Sequence, residues 1–319
     1  MGQKKNLKKN NNIKNILITC GGGSASIYFA NKLKRKYNIF LVDASDQNVA
    51  SQLSFSFCKI PFGNAPDFLK KIDKLIKKWK IDCIVPGADE ELLPISSYCQ
   101  KNPCLKAVIP SYDFIKLCLN KKNLTKKLER LAISYLPPFM SLRKVKYPAI
   151  VKPIYGRGSK EVHIVKNGSE LQGYIKLYRK KFSDVLVQKY INGEEYTVSV
   201  IVNNINKLIK IVPKKVILKR GITKAAVTRK NNIIDEACKK IVELLNPSGP
   251  FNVQLKLFKG RVYIFEINPR LSTTSVLTDK AFGNEIELYL KYYDQNHISN
   301  LPKLKNNVFL YRYEENIFR

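Results

Sequence analysis

The sequence predicts a chain of two unlike halves, an α/β half built on a parallel sheet and then an α+β half. Two patterns carry this prediction. Over residues 15–110, short apolar runs alternate with segments of helical spacing, as βαβ units require. Beyond residue 113 the strands come in pairs joined by turn residues, Asn192-Gly193 and Lys259-Gly260, with helices between the pairs.

The elements follow in order. Residues 15–20 (NILITC) are an apolar run after a charged tail, hence a buried strand. Three glycines follow, then helical spacing over 24–36. Residues 38–43 (NIFLVD) read as a second strand, 68–79 as a Lys-rich amphipathic helix, 81–86 (IDCIVP) as a third strand and 107–110 (AVIP) as a short fourth. The second half opens on a helix over 113–131, and Pro137 and Pro138 then break the chain. A strand at 149–152 ends at Pro153. After a glycine loop at 154–160 come a strand at 162–165 and a helix at 169–181, with Ser169 as its N-cap. Strands at 185–191 and 196–202, a helix at 235–245 and a hairpin at 251–268 complete the pattern. No internal repeat and no low-complexity linker appears.

Composition narrows the function. The formal charge is +32 over 319 residues. Lys and Asn are spread along the whole chain, and no RNP, KH, zinc-finger or helix-turn-helix pattern appears. The charge therefore reads as composition and not as a specific nucleic-acid surface, although its field favours anionic ligands such as nucleotides. No apolar stretch reaches the roughly 18 residues a membrane helix needs. Residues 1–14 lack the apolar core of a secretory signal and read as a flexible basic tail. Seven cysteines without a C-x-x-C pair (Cys20, Cys58, Cys83, Cys99, Cys104, Cys118, Cys238) read as reduced thiols of a cytoplasmic protein. His163 and His297 are the only histidines. That scarcity argues against zinc sites and against His-dependent nucleophilic catalysis. The chemistry must rest on carboxylates, amides, Lys and Arg.

Three segments are candidates for chemistry. Gly21-Gly22-Gly23-Ser24-Ala25-Ser26 follows a strand and precedes a helix, and Asp43 ends the next strand about 20 residues later, the setting of a dinucleotide fingerprint. Ser26 replaces the third glycine, so a tight turn without a cofactor is the better reading, and an NAD(P)-dependent oxidoreductase is an alternative. Lys152 ends a strand before a loop holding Gly156, Arg157, Gly158 and Ser159. Glycine amides and a cation suit phosphate, and an ordinary hairpin tip explains the same residues equally well. In the hairpin, alternation puts Val262, Ile264, Glu266 and Asn268 on one face of the second strand. A three-residue loop containing Gly260 would bring Gln254 to that face, and a two-residue loop would not. The three oxygen-bearing groups suit Mg2+, or else stand in water at a sheet edge.

These residues resemble a known family. PFNVQLKLFKGRVYIFEINPRLSTTSVLTDKAFGNE (250–285), with its E-x-N-P-R run at Glu266, Asn268, Pro269 and Arg270, is similar to the ATP-grasp unit of the carbamoyl-phosphate synthase large chain and its stand-alone relatives. So are Lys152 with its glycine loop, QKYINGEEYTVSV (188–200), GGGS (21–24), PGADEELLPI (86–95) and RYEENIF (312–318). The resemblance implies a Rossmann-like pre-ATP-grasp domain over 15–112, a linker helix and lid lobe over 113–188, and a C-terminal ATP-grasp lobe over 189–319. It implies an ADP-forming ligase that activates a small carboxylate as an acyl phosphate and passes it to an amine or a thiol, with no membrane partner and often as a homodimer.

The same resemblance implies site roles. Gln254, Glu266 and Asn268 would hold Mg2+ or Mn2+. Lys152, Gly156, Arg157, Gly158 and Ser159 would meet the ATP phosphates, Lys189, Tyr190 and Ile191 the adenine, and Glu195 the ribose. Arg270 would stabilise the acyl phosphate, with Lys219 or Arg220 beside it. Lys189 stands where relatives carry an acid, Glu161 where many carry Gly, and Gln254 where most carry an acid. These departures favour a third reading, a non-catalytic nucleotide-binding protein. Position at strand ends places specificity near Ala88, Asp89 and Glu90 and over 272–275.

Overall fold

The computed structural model describes residues 13–156, 158 and 160–318. Residues 1–12 of the basic tail, with Arg157 and Ser159 of the glycine loop, lie outside the described residues. Strands β1 (Asn15–Ile18), β2 (Asn38–Asp43), β3 (Ser56–Lys59), β4 (Cys83–Val85) and β5 (Lys106–Ala107) form a parallel sheet in the order β3-β2-β1-β4-β5. Alternation splits its side chains between two cores. Ile16, Ile18, Leu41, Cys83 and Val85 pack with helix α1 (Ser24–Leu33). Leu17, Val42 and Ile84 pack with α2 (Phe68–Trp79) and α3 (Asp89–Lys101).

The expected helix over 113–131 is two helices, α4 (Tyr112–Leu119) and α5 (Lys121–Arg130). Asn120 divides them. Its backbone is extended (φ −98°, ψ 93°), and its side-chain oxygen accepts the Asn123 N–H at 2.9 Å, an N-cap that outweighs helix continuation. A three-stranded sheet follows, β6 (Ala149–Pro153), β7 (His163–Val165) and β8 (Val185–Lys189), ordered β7-β6-β8 and covered by α6 (Gly168–Leu177). The N-cap of α6 is Asn167 and not Ser169: its side chain accepts the Glu170 N–H. Among the described residues no helix is long and apolar enough to cross a membrane.

The last sheet is antiparallel, ordered β13-β12-β9-β10-β11-β14. Its strands are β9 (Glu194–Val202), β10 (Leu208–Arg220), β11 (Ile222–Thr228), β12 (Phe251–Phe258), β13 (Arg261–Asn268) and β14 (Phe309–Tyr311). Helix α7 (Asn232–Leu245) covers its apolar face together with α4 and α5, in a core that includes Val198, Val200, Val253, Leu255 and Ile241. The other face is polar near one end. At the opposite end it is closed by α8 (Ser275–Ala281) and α9 (Glu285–Lys291). Ile286 and Tyr289 of α9 also enter the core beneath the parallel sheet, which ties the two halves together.

Candidate active site

The floor of the site is the polar face of the antiparallel sheet. Gln254 pairs with Glu266 across β12 and β13, Asn252 with Asn268, and on the other side Gln254 pairs with Thr197 and Lys256 with Glu195. Directly paired residues share a face, so one surface carries Glu195, Thr197, Asn252, Gln254, Lys256, Glu266 and Asn268. The turn that makes this possible is not the expected one. It has two residues, Lys259 and Gly260, both left-handed (φ 47° and 68°), as a two-residue hairpin turn with both central φ positive requires. Gln254 reaches Glu266 because a bulge at Phe265 shifts the register by one. The bulge also corrects the predicted face of β13: Val262 and Ile264 join Ile267 in the apolar core, while Phe265 joins the lining of the cleft.

Four lysines surround this floor. Lys152 on β6 is buried, and its ammonium donates to the Phe265 carbonyl at 2.8 Å and lies 5.4 Å from the centre of the Phe265 ring. Burial pulls its pKa down to about 8; Lys121 and Lys219 push the same way and Glu266 opposes them. Lys121, at the first turn of α5, lies 3.5 Å from Glu266 Oε1 and donates to the Gly156 carbonyl. Lys219 donates to Glu195 Oε1 at 2.8 Å and to Gln254 Oε1 at 3.4 Å. Lys256 lies 3.1 Å from Glu195 Oε2. Burial alone would raise the Glu195 pKa, but Lys219 and Lys256 together hold it below the usual carboxylate range.

These groups line a cleft of about 170 Å3 between the three-stranded and the antiparallel sheets, whose walls include Leu136, Ile150, Lys189, Ile191 and Phe265. The Lys189 side chain is exposed, and the Tyr190 N–H is spent on the Pro148 carbonyl at 3.0 Å. Gly156 and Gly158 take left-handed φ of 128° and 71° with open space at the Cβ positions, a loop other residues adopt only under strain. Gly156 and Lys160 also line a second, wider cleft, bounded by Thr19, Cys20, Ser24 and Glu90 on one side and Arg270, Ser272 and Thr273 on the other. Arg270 is held across the two halves by Asp89, 2.6 Å from Nε to Oδ1. Arg220 is not brought to the cluster. It is exposed beside Gly221 at the tip of the β10–β11 hairpin, and alternation turns it away from Lys219.

The first glycine cluster is braced from within. Asp43, at the position of a ribose-binding acid, accepts the Gly22 N–H at 3.0 Å and the Ser45 N–H at 3.1 Å. A Cβ on Gly22 would come within 2.7 Å of Asn48. These contacts account for Gly22 and the acid without a dinucleotide. Lys256, on the face of Gln254, and Lys121 are site lysines that sequence reasoning missed. For Lys121 the signal was present, an Asn preceding a helix start, but it lay inside a continuous helical pattern.

Gln254, Glu266 and Asn268 offer one carboxylate and two amide oxygens on one face, and among the described residues no group of three His, Cys, Asp or Glu side chains could hold a metal. Such a set fits an ion shared with nucleotide phosphates better than one caged by protein alone.

Residues 118–274 match the family model of the ATP-grasp domain. The D-alanine–D-alanine ligase of Petrotoga mobilis is 29% identical over 235 residues, 66% of this chain and 75% of that protein. The carbamoyl phosphate synthase large chain of a Thermoanaerobacter species is 26% identical over 201 residues, 56% of this chain but only 19% of that protein. The crystal structure of the L-amino acid ligase from Bacillus licheniformis shares the fold, with a TM-score of 0.70 at 17% identity, covering 89% of this chain and 75% of that one. The matched segment contains the lysines, the glycine loop and the Gln254–Glu266–Asn268 face, so residues 118–274 form an ATP-grasp domain.

Proposed function

We propose that the chain is an ATP-dependent ligase that joins a small carboxylate, an amino acid first among the candidates, to an amine through an acyl phosphate, releasing ADP. One observation carries this reading: a face of carboxylate and amide oxygens, ringed by Lys121, Lys152 and Lys219, opens through the glycine loop onto a second cleft bordered by Arg270. The first cleft suits a nucleotide. Ile191 and Leu136 offer apolar walls for a base, and Glu195 is ionised to accept ribose hydroxyls. Lys152 and Lys121 meet phosphate oxygens. Gln254, Glu266 and Asn268 would hold Mg2+, which supplies charge neutralisation of the phosphates when bound.

In the reaction, a carboxylate oxygen of the substrate attacks the γ-phosphorus in line, the bond to the ADP oxygen breaks, and ADP leaves with that electron pair. An amine then attacks the acyl carbon, phosphate leaves, and the amine sheds one proton. Lysines and Arg270 stabilise charge throughout, so no histidine is required. The glycine loop, standing between the clefts, excludes water from the acyl phosphate. The likeness to a D-alanine–D-alanine ligase and to an L-amino acid ligase supports amino acids as the first substrates to test.

The test is ADP release from MgATP with pooled D- and L-amino acids, dicarboxylates and hydroxy acids. Turnover that needs one pool, and a hydroxylamine-trapped hydroxamate from the same pool, is the expected result. Nucleotide binding without turnover in any pool would favour the non-catalytic reading.

A further inference from the structure

The sheet buries an ionic cluster that the proposed reaction does not use. Lys214 of β10 is fully buried, and Ser199 of β9, Thr278 of α8 and Glu285 of α9 are each 0–1% exposed. The Lys214 ammonium spends its protons on Ser199 Oγ at 2.6 Å, Thr278 Oγ1 at 2.9 Å and the Thr274 carbonyl at 3.5 Å. Ser199 in turn donates to Glu285 Oε1 at 2.6 Å. A single hydroxyl thus bridges a buried cation and a buried carboxylate.

Stability does not account for this arrangement. Buried ion pairs are commonly no better than apolar side chains of similar volume, and the surrounding core, with Ile201, Val212 and Ala281, is apolar. The cation also sits at the amino end of α8, where the helix dipole disfavours it. Hydrophobic contacts would hold α8 down without fixing its position. The Lys214 bonds to Thr278 Oγ1 and the Thr274 carbonyl, with the Thr278 hydroxyl donating to Ser199 Oγ at 3.1 Å, fix it.

What α8 carries is the border of the second cleft. Thr274 is the N-cap of α8. The residues before it are knitted to the same turn: Ser272 Oγ lies 2.8 Å from Thr274 Oγ1, the Thr274 N–H donates to Ser272 Oγ at 3.0 Å, and the Ser272 N–H donates to Ser275 Oγ at 3.2 Å. Arg270, Ser272 and Thr273 line the cleft. A displacement of α8 therefore displaces Ser272 and Thr273, the cleft residues that follow Arg270.

We propose that Lys214, Ser199 and Glu285 are positioning residues that lock the 270–274 loop to the sheet and so set where the reacting carboxylate is held. The inference rests on the ligase reading, through the role given to Arg270. The full-length chain carrying Lys214→Met is compared with the native chain by amide hydrogen exchange over 271–278, by MgATP affinity and by steady-state kinetics. Exchange over 271–278 is expected to speed by about tenfold or more. The KM for the carboxylate should rise about tenfold, because small misplacements of a clamp are amplified in this way, while MgATP affinity changes by less than about twofold. Thr278→Val, nearly isosteric and uncharged, should give the same pattern more weakly and serves if Lys214→Met does not fold. Unchanged exchange over 271–278 in a folded variant overturns the proposal, as does a fall of MgATP affinity in step with the carboxylate KM. A native chain that neither binds nor turns over MgATP would sink the ligase reading instead, and the exchange measurement alone would then decide whether the cluster holds the loop.

Discussion

Replacing Lys152 by Met lowers MgATP affinity by about two orders of magnitude, the expected effect of deleting a desolvated, charge-assisted partner of phosphate. The side chain is buried at the end of β6, and its ammonium donates to the Phe265 carbonyl beside the polar face. Its pH behaviour is a second mark. With a pKa of about 8 in the folded chain and 10.5 as the ordinary value, Lys152 begins to lose its charge in mildly alkaline solution. MgATP affinity should therefore fall as pH rises through 8. Fold stability moves the other way. The unfolded chain binds the extra proton between pH 8 and 10.5, so this lysine adds stability as pH rises across that window. Lys214, also lowered to about 8 by burial, contributes in the same direction. Calorimetric titration and thermal melts at pH 7 and 9 separate the two effects. Affinity that does not decline toward pH 9 in the native chain would remove Lys152 from the phosphate site.

Glu266→Ala is expected to reduce turnover by about 10²–10³-fold, the scale on which a single charge-stabilising group acts in a reacting centre. Glu266 is the only carboxylate of the oxygen trio, and it lies 3.5 Å from Lys121. Its loss leaves Gln254 and Asn268 to hold an ion with neutral oxygens alone. Glu266→Gln keeps the shape and tests the charge, so the same loss is expected there. Raising Mg2+ should recover part of the activity in both variants. Glu266→Gln with native turnover at low Mg2+ would contradict the assigned role.

The sequence made the parallel sheet legible because its strands are short apolar runs separated by helical spacing, and residues 38–43 and 68–79 match β2 and α2 to the residue. The edge strand β3 escaped notice because Ser56–Lys59 is mostly outside the apolar core and has no apolar run. The long hairpin β10–β11 escaped for a different reason: lysines interrupt its alternation, and its turn is a lone Gly221 with φ 68°. On β13 the grouping of Gln254 with Glu266 and Asn268 was correct, but its predicted cause was not. A strict period of two cannot reveal a bulge, which depends on how β12 and β13 pack against α4, α5 and α7. The pairings of Lys121 with Glu266 and of Asp89 with Arg270 lay beyond sequence reasoning because the partners are more than 140 residues apart in the chain.

The measurement that bears most directly on the central claim is calorimetric titration of the native chain with ATP and with NADPH, each with and without Mg2+. The account predicts saturable binding of about one ATP per chain, tightened by Mg2+, and no NADPH binding at the braced glycine turn. NADPH binding without ATP binding would contradict it and return the first glycine cluster to the centre of the problem.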